Sequence, residues 1–171
     1  MFNVERKNTI ATWLLERGRV NVAALAEALC GKTGVTIITN SAYLVSQLGE
    51  EEGLTVISTG GQVRRESLTL VGSLAQQSCL AYRANKAFIS PKGFRPEAGA
   101  VNGNEQETAM QRCMIERAEQ MILLCDHTKF TRLGHLTLAA LPEIKTMITD
   151  TPLPRAWAGE MEGVRLITAK P

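Results

Sequence analysis

No apolar run in this chain of 171 residues is long enough to span a bilayer, and the N-terminus carries no signal-peptide pattern. The expectation is therefore a cytoplasmic protein with no membrane partner. Histidine is scarce: His127 and His135 are the only two. The four cysteines, Cys30, Cys79, Cys113 and Cys125, have no C-x-x-C spacing and no close pair. They read as small apolar residues of a reduced protein, not as a disulfide frame or zinc site. In Cys125-Asp126-His127 adjacent side chains leave a strand on opposite sides, which also speaks against a metal centre. Neither a nucleophile elbow nor a Walker pattern occurs. An excess of one charge is lacking too: 19 basic against 17 acidic residues give a net +2. That balance excludes a general electrostatic grip on nucleic acid or membrane but allows a local basic patch. There is no internal repeat and no low-complexity tract.

What is present is an ordinary globular composition, 44% apolar and 21% charged, at a length that fits one domain or one domain with a small appendage. The organising stretch is Met121-Ile122-Leu123-Leu124-Cys125, five apolar residues followed abruptly by Asp126-His127-Thr128-Lys129. So short an apolar run reads as a strand buried on both faces. Before it, residues 5–17 show a helical stripe (Ile10, Trp13, Leu14, Arg17) ended by Gly18, and Asn21 is positioned to cap a second helix over 22–29. From Gly31 strands and helices alternate. Strands are read at 35–38, 54–58, 86–90, 121–125, 146–149 and 164–168, and helices at 42–48, 73–83 and 105–119. A loop dense in Gly and Pro is expected over 91–103, and a long polar loop after 125. This alternation implies an α/β fold, a mostly parallel sheet with helices on both faces. The one compositional break, near 30–34, divides a helical segment (1–29) from an α/β domain (30–171).

In such sheets ligands sit beyond the carboxyl ends of the strands. Thr39-Asn40-Ser41 marks a strand-to-helix passage suited to an anion, with plain helix capping as the alternative. Gly60-Gly61 lets the backbone turn sharply or approach a ligand, and Arg64 could hold a carboxylate or phosphate. Asn104 is a good N-cap, with Glu107 placed to complete a capping-box-like pair. Arg112 is near enough to pair with Glu107. Lys129 follows a strand terminus directly and is the more natural anion partner. Glu105, Glu107 and Asp126 could each serve as a base, but nothing singles one out. No catalytic residue, metal or cofactor is assigned.

The segments "VTIITNS" (35–41), "STGGQVRRESLTLVG" (58–72), "NKAFIS" (85–90), "NEQETAMQRCMIERA" (104–118), "MILLCDHTKF" (121–130) and "MITD" (147–150) follow one another as in the DeoR family of bacterial sugar-metabolism regulators, which the chain resembles over about residues 28–155. The resemblance implies an effector domain with the fold of sugar-phosphate isomerases, glucosamine-phosphate deaminases and coenzyme A transferases, sensing a phosphorylated sugar and working as a homo- or hetero-oligomer. It places Thr39, Asn40, Ser41, Gly60, Gly61, Arg64, Asn104, Glu107, Arg112 and Lys129 on the ligand side. "ERKNTIATWLLERGRVNVAALAEAL" (5–29) resembles the family's first two DNA-domain helices, although residues 23–31 equally match an effector-domain helix. The family's recognition helix, its wing and the effector domain's first strand with an Asp-x-Gly-Thr-Thr loop have no counterpart here, as after an internal deletion. DNA reading by this chain alone is therefore not expected, because a helix-turn-helix reads bases through the helix that is missing. Ser90, Pro91-Lys92, Gln111 and Thr131 stand where the family usually has Gly, Ala-Asp, Lys and Gly. An isomerase- or deaminase-like enzyme of the same fold is the alternative reading.

Overall fold

A computed structural model of the chain describes residues 22–169. The helix expected over 5–17 lies outside the described residues.

The chain runs as helix α1 (Val22–Leu29), strand β1 (Val35–Thr39), helix α2 (Ala42–Leu48), β2 (Leu54–Ser58), β3 (Gln62–Arg64), β4 (Thr69–Val71), α3 (Ser73–Leu80), β5 (Ala84–Ile89), β6 (Gly93–Arg95), β7 (Gly99–Asn102), α4 (Glu105–Glu116), β8 (Ala118–Leu124), β9 (Leu136–Ala139), β10 (Thr146–Thr149) and β11 (Arg165–Thr168). Strands β11-β10-β8-β5 form an all-parallel sheet, and β1 pairs parallel with β2 from Val35↔Leu54 to Thr39↔Ser58. The protein is thus α/β with mainly parallel pairing.

Side-chain parity divides the core into two halves. Along β8, Ile122 and Leu124 face one cluster while Met121, Leu123 and Cys125 face the other. Ile148 and Met147 of β10 divide the same way, as do Phe88 against Ala87 and Ile89 of β5. A strand with helices over both faces needs an unbroken apolar run, which is what residues 121–125 supply. Leu123 and Leu124 are essentially inaccessible, and burying each contributes about 1.5–3 kcal/mol. On the first face lie Leu25, Ala26 and Leu29 of α1 with Leu44 and Leu48 of α2. On the second lie Met114 and Ile115 of α4, with Trp157 edge-on to both Phe94 (5.9 Å) and Phe130 (5.2 Å). Helix α3 packs on α4 through Ala75, Cys79, Met110 and Cys113.

The expected division at 29/30 is not marked by a break in packing, since Leu25, Ala26 and Leu29 of α1 lie in one core cluster with Leu44, Leu48, Ile122 and Ile148. One sequence expectation needs correction, the loop read over 91–103. The Gly/Pro-dense stretch 91–103 is not simply loop. It folds back as β6 and β7, and β9 from the polar stretch after 125 completes a three-stranded antiparallel sheet. Strands of three or four residues show too little alternation to be read, and β9 joins from more than thirty residues away.

Candidate functional site

At the carboxyl end of β1 three short side chains are all engaged locally. Thr39 Oγ1 accepts from the Ser41 N–H at 3.1 Å, and Ser41 Oγ accepts from the Leu44 N–H at 3.2 Å, capping α2. Asn40 Nδ2 donates to the Leu70 carbonyl at 3.2 Å, while its own carbonyl accepts from the Leu70 N–H at 2.6 Å. With the Ala42 N–H donating to the Leu68 carbonyl at 2.9 Å, residues 40–42 become an antiparallel rung for the β3–β4 hairpin. Leu68, at the hairpin tip, takes φ 51, a left-handed conformation costly for a residue with a Cβ.

Thr69 carries this junction to α4. Its Oγ1 lies 2.8 Å from Ser67 Oγ and donates to Glu107 Oε1 at 3.4 Å. Arg64 Nε approaches the same carboxylate oxygen at 3.3 Å, and its Nη1 lies 3.5 Å from Glu66. The Nε approach is an ion-pair contact without hydrogen-bond alignment, so this buried N–H has no acceptor. Glu107 therefore does not complete a capping box. Asn104 Oδ1 accepts from the Glu107 N–H at 3.0 Å, but the Glu107 carboxylate turns outward to Arg64 and Thr69. Gly60 and Gly61 follow β2 with φ 63 and 104, and the Thr59 N–H donates to the Thr39 carbonyl at 3.0 Å, tying this turn to the β1 exit.

Among the candidates, Thr39, Asn40, Ser41, Arg64, Asn104 and Glu107 are thus linked through Thr69, with Gly60 and Gly61 adjoining. Lys129 lies beyond the carboxyl end of β8, half-buried in a short 3-10 helix (His127–Phe130), and makes no ion pair among the described residues. Arg112 does not join them. Its Nη1 donates to the Leu138 carbonyl at 2.9 Å and to Glu143 Oε1 at 2.8 Å, and Nη2 lies 3.9 Å from Glu116. It braces α4 on β9 and does not pair with Glu107. The Arg112 hydrogen bond, then the Ala140 N–H, hold the Glu143 carboxyl below its usual range.

Two neighbours, Thr69 and Asp150, escaped the sequence reading. Thr69 has no motif of its own, and its partners are distant in the chain. Lys92, beyond β5, donates its N–H to Asn102 Oδ1 at 3.0 Å. Its ammonium lies over Gly103, where a Cβ would sit 3.1 Å away. Gln111 accepts from Asn102 Nδ2 at 2.8 Å and donates to the Ser90 carbonyl at 3.3 Å, so these family departures adjoin one another. Asp150, beyond β10, accepts the His127 N–H at 2.7 Å and holds His127 Nδ1 at 2.7 Å. That hydrogen bond and the Asp150 charge raise the His127 pKa. Burial works to raise the Asp150 carboxyl, but the His127 ring and backbone bonds outweigh it and hold the carboxyl below normal. Burial pushes the Cys125 and Cys79 thiols up to about 12, so neither is a thiolate nucleophile at neutral pH. Among the described residues no group of three or more His, Cys, Asp or Glu is placed to hold a metal, and no helix is long and apolar enough to cross a membrane.

The DeoR C-terminal sensor domain family matches residues 5–151 of this chain. The chain belongs to that family. Its relatives include the uncharacterized HTH-type transcriptional regulator YulB of Bacillus subtilis (strain 168), 36% identical over 138 residues, covering 80% of this chain and 54% of that protein. The HTH-type transcriptional regulator GolR of Listeria innocua serovar 6a is 31% identical over 165 residues, 90% of this chain and 65% of that protein. The HTH-type transcriptional repressor GlcR of Bacillus subtilis is 35% identical over 115 residues, 67% of this chain and 44% of that protein. The chain spans 44–65% of the length of these relatives.

Proposed function

We propose that this DeoR-type sensor chain binds a phosphorylated sugar in the crevice between the β1 and β2 exits and the start of α4, as part of a regulator of sugar metabolism. The supporting observation is the buried Arg64 N–H, which lies without an acceptor beside Glu107 at the carboxyl end of the strands, where a phosphate oxygen would satisfy it. In this reading Gly60 and Gly61 let the ligand approach the backbone and Lys129 offers a second cation. Thr39, Asn40, Ser41, Asn104 and Glu107 hold the crevice in shape, while Arg112 fixes α4 behind it. The domain junction lies N-terminal to Val22. The chain works as an oligomer, and DNA affinity is supplied by a partner or lost.

A thermal-shift panel of sugar phosphates tests this. Saturation at about 100 times Kd stabilises the native state by about 2.7 kcal/mol. For a domain of this size, at about 2–4 °C per kcal/mol, the melting temperature then rises by roughly 5–11 °C. Arg64→Ala is expected to abolish the shift, and no turnover of the ligand is expected. A panel with no shift at all overturns the reading. A gel-shift titration with a family operator at two salt concentrations is expected to show weak, strongly salt-dependent binding without sequence preference.

A further inference from the structure

We propose that the interface between α3 and α4 binds one copper(I) ion, held by the sulfurs of Cys79 and Cys113 with Met110 and Met114 completing the coordination. These side chains form a packed cluster distinct from the two halves of the main core, with Met114 bordering the second half. Of its five members, Ala75, Cys79, Met110, Cys113 and Met114, only Ala75 carries no sulfur. Helical spacing brings them together. Met110, Cys113 and Met114 stand at i, i+3 and i+4 on α4 and share one face, and Cys79 meets them from α3.

The two thiols touch. Cys113 Sγ donates to the Gln76 carbonyl at 3.7 Å, one turn before Cys79 on α3, and the Cys79 thiol is hydrogen-bonded to Cys113. Burial first, then that neighbouring thiol, pushes the Cys79 thiol up to about 12, while the Arg117 charge pulls it down. Accessibility is graded across the cluster. Met110 is inaccessible, Cys79 and Cys113 keep 5% and 8% of their surface, and Met114 is half-buried, so the sulfurs lead inward from solvent.

The donor set selects the ion. Thiolate and thioether sulfurs are soft ligands, which suit copper(I) and not a hard oxygen-seeking cation. Zinc takes four ligands from Cys, His and carboxylates, and among the described residues no third His, Cys, Asp or Glu joins these two cysteines. Binding joins one Cu+ to two thiols and gives a dithiolate complex and two protons, with no electron transferred. The bound cation makes ionisation of two adjacent buried thiols favourable. The complex carries one negative charge. Arg117, whose charge already acts on Cys79 and whose Nε is anchored on the Tyr82 carbonyl at 2.9 Å, offsets it. The ion would pin α3 to α4 about 9 Å along the helix from Glu107, away from the effector crevice.

The test titrates the reduced full chain, free of oxygen, with copper(I) supplied as a complex with a chromophoric chelator. One copper per chain is expected, with a thiolate-to-copper charge-transfer band in the near ultraviolet and two protons released per ion bound. Cys30→Ala removes an exposed thiol and should change nothing. Cys79→Ala and Cys113→Ala should each abolish the band. Met110→Leu and Met114→Leu keep the volume and the fold, so they decide the matter even where an alanine variant does not fold. Each should weaken copper binding by at least about tenfold, the least that losing even an outer-shell partner of a metal costs. Loss of binding in Cys30→Ala, fewer than two protons released, tighter binding of zinc than of copper(I), or unchanged affinity in both methionine variants overturns the proposal. No sugar phosphate enters these measurements, so their outcome is separate from that of the effector reading.

Discussion

Alanine at Gly60 and alanine at Gly61 differ by one position but are expected to behave very differently. Both residues have positive φ, 63 and 104. At Gly60 an added Cβ meets nothing within 4 Å, so the cost is the left-handed backbone alone, about 1–2 kcal/mol. At Gly61 the Cβ would lie 2.6 Å from the Val71 carbonyl oxygen and 2.9 Å from the Ala75 Cβ. Neither neighbour can rotate away, because one is main chain in β4 and the other is buried in α3. Backbone strain of about 1–3 kcal/mol and overpacking of about 1–3 kcal/mol therefore add. At about 2–4 °C per kcal/mol, Gly60→Ala is expected to lower the melting temperature by about 2–8 °C and Gly61→Ala by at least twice as much. Because the Gly60 Cβ points into open space in the proposed crevice, that variant should also weaken sugar-phosphate binding in the same thermal-shift assay. Equal shifts for the two variants, or a larger one for Gly60→Ala, would refute the packing account of this turn.

The His127–Asp150 clamp makes stability pH-dependent at both ends. The raised His127 pKa contributes fully below the unfolded value near 6.5 and is lost as pH rises through the folded pKa; the lowered Asp150 pKa contributes above 3.8 and is lost as pH falls through its folded pKa. Thermal melts of Asp150→Asn across pH 2–9 should show a flatter profile than the parent, and an unchanged profile would remove the clamp. Arg112→Ala breaks a charged hydrogen bond to the Leu138 carbonyl and the Glu143 pair, which should cost about 1–3 kcal/mol in urea unfolding. Leu123→Ala, at a side chain with no accessible surface, should cost about 2–5 kcal/mol, and a loss under 1 kcal/mol would contradict the two-sided burial of β8.

The parts of the fold legible from sequence are those whose signal is local. The run 121–125 could be read because a strand covered on both faces must be apolar at every position, and Ser41 and Asn104 are the N-caps their residue types imply. What escaped depends on partners distant in the chain. Glu107 looked like half of a capping box at three-residue spacing, but Arg64 and Thr69, about forty residues away, take its carboxylate. Arg112 had Glu107 within helical reach, yet Glu143 and the Leu138 carbonyl arrive from β9 and the turn after it. Short strands such as β6 and β7 are made by pairing, not by pattern, and their glycines pointed to loop.

The same geometry limits what can recognise a ligand. Asn40, Ser41 and Asn104 have their side-chain groups committed to Leu70, Leu44 and Glu107, so an effector reaching them would have to displace bonds that hold β1, β4 and α4 together. The groups still able to act without that loss are the Gly60–Gly61 backbone, the Arg64 N–H and the ammonium groups of Lys92 and Lys129. Most of these groups carry positive charge or donate hydrogen bonds, which favours a ligand rich in acceptor oxygens over a neutral sugar. Arg64 extends from the hairpin to the first turn of α4. An anion drawing it away from Glu107 would leave the Thr69–Glu107 bond as the hairpin's remaining tie to that carboxylate. Effector binding would then act on the chain's shape through one carboxylate, and Glu107→Gln should weaken the hairpin's attachment even with no effector present.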